Sequence, residues 1–176
     1  MKSYRTTTIS LLIPSFSIFS LIFFIGTSGF SQNALEDLLK KYNSGDVAYT
    51  SVEQLRMDQL INEVIILDAR ESNEYNISHL KDSKFIGYDN LNLTVLDSIS
   101  RDKQIVVYCS VGIRSEKIAR KVQNLGFGNV KNLYGGIFEW KNTGYPVYDN
   151  KGKETEKVHT FSKHWSKYLK NGEKIY

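Results

Sequence analysis

Between residues 33 and 147, the hydrophobic positions of this chain alternate between two kinds of spacing. Continuous apolar runs at 64–67 and 105–108 are typical of strands buried on both faces. Other stretches repeat apolar residues at intervals of three and four, which indicates amphipathic helices. Because the two kinds of segment alternate and no Asn-Gly or Asp-Gly turn joins neighbouring strands here, the pattern predicts an α/β fold with a parallel sheet and helices on both faces.

About five strands and six helices are predicted. The strands are placed at 47–49, 64–67, 84–86, 105–108 and 130–133. The helices are placed at 33–45, from Ser51 onward, 71–77, 91–99, 115–125 and 137–142. Ser51 followed by Gln54 is typical of a capping box, and Gly126 follows the strongest amphipathic pattern as a stop signal.

The first thirty-one residues are typical of a secretory signal peptide. Lys2 and Arg5 form a basic start, 9–25 is apolar and nearly uncharged, and Gly29-Phe30-Ser31 fits a cleavage site before Gln32. An uncleaved N-terminal anchor is the alternative. We therefore expect an exported protein, periplasmic or extracellular, with a signal at 1–31, one domain at 32–149 and a basic extension at 150–176.

The net charge of +4 is unevenly distributed. The extension carries seven lysines against three glutamates, whereas the basic residues of the domain are interleaved with acidic ones. A nucleic-acid-binding surface would need basic residues clustered on one face. We therefore expect no nucleic-acid partner for the domain.

The extension contains one apolar stripe, formed by Val158, Phe161, Trp165 and Leu169. Its spacing predicts a helix that either packs onto the domain or uses 157–170 to contact a partner or a membrane surface. His159 and His164 lack a third ligand nearby, so we predict neither a metal site nor a cofactor.

Cys109 is the only cysteine. It ends a predicted strand just before a predicted helix, and ligands of open α/β sheets bind beyond such strand ends. Backbone N–H groups and the positive end of the helix would favour its thiolate there. A small buried hydrophobe is the alternative for a cysteine without a disulfide partner.

The turn after Cys109 is suited to binding an anion. Gly112 permits conformations in which successive N–H groups point inward, and Arg114 adds a planar cationic fork. His79 is the only histidine of the domain and is either a base or a structural hydrogen-bonding residue. Sulfur transfer needs no base, because the thiolate is itself the reacting form.

Residues from about 49 to 147 resemble a single-domain rhodanese, a sulfurtransferase family. The matching segments are 66–71 with Glu74-Tyr75, 78–80, 106–109, Arg114-Ser115, 125–127 with Val130, 133–137, Trp140 and 144–147. The resemblance implies a rhodanese-like parallel sheet and a cysteine that carries sulfane sulfur as a persulfide. By that resemblance Cys109 is the nucleophile.

The resemblance also implies roles for other residues. The expected substrate-binding loop consists of Ser110, Val111, Gly112, Ile113 and Arg114. The expected structural residues are Asp68, Arg70, Glu74, His79, Gly135 and Gly136. The implied reaction is of the thiosulfate:cyanide type, with thiosulfate or another small sulfur donor and a thiol or cyanide acceptor, and we expect a monomer.

One loop and one residue depart from the family pattern. The loop 78–83 differs from the usual sequence, and Ser110 replaces a common arginine, which makes the site less cationic.

Four residues separate Cys109 from Arg114, whereas the related dual-specificity phosphatases have five. A phosphatase or arsenate reductase is therefore disfavoured. A non-catalytic sulfur-carrier or protein-interaction module is the main alternative to the enzyme.

Overall fold

A computed structural model describes residues 28–61 and 64–176 of the chain. The strands of its main sheet are β1 (Tyr49–Thr50), β2 (Val64–Asp68), β3 (Lys84–Phe85), β4 (Gln104–Tyr108) and β5 (Val130–Leu133). The helices are α1 (Ser28–Tyr42), α2 (Val52–Leu60), α3 (Ser72–Ile77), α4 (Arg114–Asn124) and α5 (Gly136–Asn142).

The five strands form one fully parallel sheet in the order β1-β5-β4-β2-β3. The prediction of a five-stranded parallel sheet with flanking helices is therefore confirmed. Strand β4 lies in the centre, where it pairs with β2 on one side and β5 on the other. Its carboxyl end places the following turn in the middle of one edge of the sheet.

The core lies in two layers, one on each face of the sheet. Along β4, Val106 and Tyr108 face the layer that contains α1, α2 and α5, whereas Ile105 and Val107 face the layer that contains α4. Successive strand residues point to opposite faces. The unbroken apolar run at 105–108 is thus explained, because both faces of β4 are covered.

Within the domain, the first strand, the first helix and the segment 91–99 differ most from the prediction. The first strand is shifted to Tyr49–Thr50, and the first helix already begins at Ser28. The predicted helix at 91–99 is only a 3₁₀ turn, Leu93–Leu96. The Thr94 hydroxyl bonds the Asn92 side chain at 2.6 Å. Such local side-chain bonds and the β-branched Thr94 and Val95 disfavour a regular α-helix.

The helix predicted for the extension is wrong. β6 (Val147–Tyr148) and β7 (Glu154–Thr155) form a small antiparallel pair, and β8 (Lys157–His159) and β9 (Glu173–Ile175) pair in parallel around a 3₁₀ turn, Ser166–Tyr168. Val158 and Leu169 nevertheless both reach the core layer of α5. They reach it from separate short segments, so their helical spacing did not reflect a helix.

The end of α5 holds the extension in place. Buried Lys141 donates to Glu156 at 2.8 Å, and the Asn142 amide donates to the Tyr168 carbonyl at 2.9 Å. The Asn142 side-chain oxygen also accepts from the backbone N–H groups of Lys170 and Asn171. The extension is therefore an integral part of the fold.

The prediction of a signal peptide falls mostly outside the described residues. Residues 28–31 form the first turn of α1, and residues 1–27 are not described. Over 28–61 and 64–176, none of the helices combines the length and apolar character needed to cross a bilayer. Signal peptide and export remain predictions.

Leu169→Ala should lower the free energy of unfolding by about 2–5 kcal/mol, because it leaves a cavity in the core layer between the extension and α5. Urea-induced unfolding of the whole chain measures this change. Leu60→Ala is the control: Leu60 is 67% exposed, and its loss should change stability by less than about 0.5 kcal/mol. Equal effects of the two substitutions would contradict the packing of the extension.

Candidate active site

Cys109 lies immediately after β4, at the carboxyl edge of the sheet, and its side chain is 1% exposed. The turn 110–113 follows, and α4 begins at Arg114. The thiol is thus placed between the end of the central strand and the N-terminus of an 11-residue helix, as the sequence predicted.

Two hydrogen-bond donors point at the Cys109 sulfur. The N–H of Gly112 lies 3.2 Å from Sγ, and the hydroxyl of Ser115 lies 3.4 Å from it. Burial by itself would raise the pKa of the Cys109 thiol. The positive charge of Arg114 and the bonds from Ser115 and Gly112 outweigh burial and hold the pKa below its usual value.

Asn132 on β5 holds both donors in position. Its Oδ1 accepts from the Ser115 hydroxyl at 2.7 Å, and its Nδ2 donates to the Gly112 carbonyl at 2.8 Å. The Ser115 hydroxyl has a single hydrogen, so it donates to Asn132 or to sulfur at any one time. The Asn132 side chain thus provides an alternative acceptor for the Ser115 hydroxyl hydrogen when the Cys109 sulfur is protonated.

The glycine pair 135–136 brings α5 against the Cys109 turn. Both glycines have positive φ, 71° and 57°. A Cβ on Gly136 would stand 2.2 Å from the Cys109 carbonyl oxygen. This close approach lets Ile137 and Phe138 donate their N–H groups to the carbonyls of Cys109 and Ser110 at 2.9 and 3.1 Å.

The guanidinium of Arg114 forms an ion pair with Glu74. Two of its nitrogens each lie 2.7 Å from a Glu74 carboxylate oxygen, and one also donates to the Ser110 hydroxyl at 3.0 Å. Burial would raise the pKa of Glu74, but the bonds and charge of Arg114 hold it below its usual value. The side chain predicted to bind an anion therefore already has a carboxylate partner.

The first signature segment forms a buried brace beneath the site. Asp68 and Arg70, both fully buried, are joined by bonds of 2.6–3.2 Å, and the Tyr108 hydroxyl also bonds Asp68. The His79 ring stacks on Tyr75 at 4.1 Å, with Nδ1 3.1 Å from the Tyr75 carbonyl oxygen. Within the described residues, the hydrogen bonds of His79 go to Tyr75 and Tyr148 and not to the cysteine.

A pocket of about 190 Å³ opens onto the sulfur. Loop residues 109–111, 113 and 114 form one wall, and Phe161 and Trp165 of the extension form the other. Gly112 is not part of the lining and acts through its backbone. The predicted loop residues are therefore brought together, and two aromatic side chains join them.

Sequence reasoning missed the residues that reach the loop from distant parts of the chain. Asn132 and Asn43 both donate to the Gly112 carbonyl, and Phe161 and Trp165, which the sequence pattern places in a helical stripe, line the pocket. Asn132 did carry a signal, because a polar residue inside a buried strand needs a hydrogen-bonding partner. The two aromatic residues carried none, since their placement depends on how the extension folds back.

Fold and site together define an α/β domain with a buried thiol of lowered pKa at the end of its central parallel strand. The model of the protein family described as "Rhodanese-like domain" matches residues 50–143, which are more than half of the chain. The chain belongs to the rhodanese-like domain family.

The chain is also similar to several curated proteins. A tRNA uridine(34) hydroxylase of Pectobacterium atrosepticum is 34% identical over 84 residues, which are 44% of this chain and 23% of that protein. The chain spans about a quarter to a third of the length of such curated relatives.

Solved structures show the same fold. A Bacillus halodurans protein superimposes with a TM-score of 0.54 at 26% identity, covering 69% of this chain and 88% of that one. A thiosulfate sulfurtransferase of Pseudomonas aeruginosa gives a TM-score of 0.56 at 21% identity, covering 70% of this chain and 23% of that one. At 21% identity, the second likeness concerns the fold alone.

Ser115→Ala should move the pH midpoint of Cys109 alkylation upward. The thiolate is the reactive form, so losing a donor to sulfur raises the thiol pKa and delays reactivity to higher pH. Iodoacetamide rates between pH 5 and 10 measure the midpoint. Exposed Ser100→Ala is the matched control and should leave the midpoint unchanged. An unmoved midpoint in Ser115→Ala would contradict the assigned role of the hydroxyl.

Gly136→Ala should be far more destabilising than Gly152→Ala. Both glycines have positive φ, but a Cβ on Gly152 meets nothing within 4 Å, whereas a Cβ on Gly136 overlaps the backbone of Cys109 and Ser110. The backbone preference alone accounts for about 1–2 kcal/mol at either site. Urea unfolding should show at least about 2 kcal/mol of further loss in Gly136→Ala, and similar losses would contradict the close contact.

Proposed function

We propose that this chain is a sulfurtransferase that carries sulfane sulfur as a persulfide on Cys109. The observation that carries the proposal is the Cys109 sulfur itself, which has a lowered pKa, two aimed donors and a pocket open to ligands. Family membership supports the same chemistry, since the matched range includes the whole Cys109 turn.

The proposed reaction has two steps. The Cys109 thiolate attacks the outer sulfur of thiosulfate, a new S–S bond forms, and sulfite leaves with the electron pair of the broken bond. Cyanide or a thiolate then attacks the outer sulfur of the persulfide, and the Cys109 thiolate is regenerated. Charge balances in both steps, and neither needs an external oxidant.

The donors around Cys109 suit both steps. Gly112 N–H and the Ser115 hydroxyl stabilise the thiolate before attack and after release. The α5 N–H groups hold the carbonyls of Cys109 and Ser110, and Asp68 of the buried brace holds Tyr108 at the end of β4. His79 takes no part, in keeping with a reaction that needs no base.

The hydroxylase activity named for the relatives is not proposed here. Those relatives share with this chain a segment that is about a quarter to a third of their own length. A phosphatase is disfavoured by the four-residue spacing between Cys109 and Arg114 and by the ion pair of Arg114 with Glu74. Export to an oxidising compartment remains part of the proposal and rests on the pattern of residues 1–31.

Thiosulfate should add the mass of one sulfur atom to the intact chain, and cyanide should remove it as thiocyanate. Cys109→Ser is the matched variant, because a hydroxyl of nearly the same shape cannot form the persulfide. We expect its thiocyanate formation to fall to the uncatalysed level. Equal thiocyanate from wild type and Cys109→Ser would overturn the proposal.

The same measurement addresses the binding-module alternative. A module without transfer activity would show no added sulfur with thiosulfate, polysulfide or organic thiosulfonates, although the thiol would still alkylate. Absence of the persulfide with all of these donors would therefore favour that alternative.

A further inference from the structure

The pocket over Cys109 is completed by residues outside the family domain. The family match ends at residue 143, yet Phe161 and Trp165 form one wall of the pocket. Both lie on the segment held to α5 by Lys141 and Asn142. The extension thus helps to determine which ligands can reach the Cys109 thiol.

Phe161 is held over the site at a conformational cost. Its φ is 62°, a left-handed value that is unfavourable for a bulky residue, and 54% of the side chain is exposed. Its N–H donates to His159 Nδ1 at 3.0 Å, and its ring centroid lies 5.0 Å from the Arg114 guanidinium. An exposed ring in a strained conformation at a site mouth is a feature that points to function.

The charge of the pocket does not favour a small, highly charged anion. Glu74 neutralises Arg114 through two bonds of 2.7 Å, and rings of Tyr88 and Phe161 lie 5.8 and 5.0 Å from the same guanidinium. Val111, Ile113 and Trp165 complete an apolar lining. The surface facing the sulfur is therefore mainly aliphatic and aromatic.

The size of the pocket matches a ring. Its volume of about 190 Å³ exceeds the roughly 150 Å³ of an apolar protein cavity that binds benzene. One ring against Phe161 and Trp165 would leave room for a sulfur group above Cys109. A bare inorganic anion would leave the aromatic wall unused.

We propose that the pocket selects sulfur compounds that carry an apolar, ring-sized organic group, and that Phe161 and Trp165 determine this specificity. The inference rests on the proposed sulfur transfer and names the substrate class of the same site. The ring of the substrate packs against the wall formed by the two aromatic side chains, and its sulfur reaches Cys109 Sγ.

A thiosulfonate, R–SO₂–S⁻, represents this class. The Cys109 thiolate attacks its outer sulfur, the bond between the two donor sulfurs breaks, and the electron pair leaves with the sulfinate R–SO₂⁻. One S–S bond forms and one breaks, with two negative charges on each side. No proton transfer or further reactant is needed.

The experiment compares benzenethiosulfonate, methanethiosulfonate and inorganic thiosulfate as donors to the full chain. The two thiosulfonates have the same charge and reacting group, and they differ in the ring. Cys109 persulfide formation is followed by mass spectrometry, and kcat/KM by thiocyanate release. Wild type should prefer the benzene donor over the methane donor.

Phe161→Gly removes the ring at a position whose φ suits glycine, so the variant should fold. We expect it to reduce the benzene-over-methane preference by about 2- to 10-fold, the range expected for one aromatic contact. Methanethiosulfonate, which carries no ring, is the reference donor in each variant, so the preference reports the contact with the ring. Tyr176→Ala is the control, because Tyr176 is an exposed aromatic of the same extension that does not line the pocket.

A binding measurement separates the two proposals. Benzenesulfinate should protect Cys109 from iodoacetamide better than methanesulfinate, and Phe161→Gly should remove the difference. Persulfide formation with no ring preference, or an equal preference in wild type and Phe161→Gly, would overturn the specificity and leave sulfur transfer standing. Ring-selective protection without any persulfide would overturn sulfur transfer and support the aromatic pocket. Neither protection nor persulfide would overturn both.

Discussion

The burial of Cys109, whose thiol has a lowered pKa, is the constraint on which the surrounding structure depends. The thiolate form of a residue with 1% exposure is unfavourable unless donors and positive charge replace the lost water. Gly112, Ser115 and the first turn of α4 supply that replacement, and Asn132 keeps the first two in position. Each donor comes from backbone or from a side chain fixed in turn by β5. The end of strand β4 thereby becomes a site that stabilises negative charge on the Cys109 sulfur.

Rigidity of the turn comes from a second layer of contacts. The N–H groups of Ile137 and Phe138 are not free to donate to a ligand, because they donate to the carbonyls of Cys109 and Ser110. These hydrogen bonds require glycine at position 136, because a Cβ there would overlap the Cys109 carbonyl oxygen. The oppositely charged Asp68 and Arg70 side chains are both fully buried and paired, so they fix the neighbouring strand end without adding net charge beside the pocket.

Neutralisation of Arg114 changes the character of the site. An unpaired guanidinium above the thiol would attract anions of any shape, whereas an Arg114 paired with Glu74 still lowers the pKa of Cys109 but offers less charge to a ligand. The shape and polarity of the pocket walls then determine which ligands bind over Cys109. The extension supplies the aromatic wall, and its attachment through Lys141 and Asn142 makes that wall part of the folded domain.

The sequence alone determined the parallel sheet, the position of Cys109 and the residues of its turn, because strand periodicity, strand-end placement and glycine positions are local properties. It also suggested that Asp68, Arg70 and Glu74 are structural. Only the tertiary structure decided that Asn132 reaches the turn, that Glu74 pairs with Arg114 and that Phe161 and Trp165 close the pocket. These contacts join residues 20 to about 55 positions apart, so no local pattern encodes them. The helix wrongly predicted for the extension has the same cause: burial of Val158 and Leu169 in the α5 core layer decided their conformation.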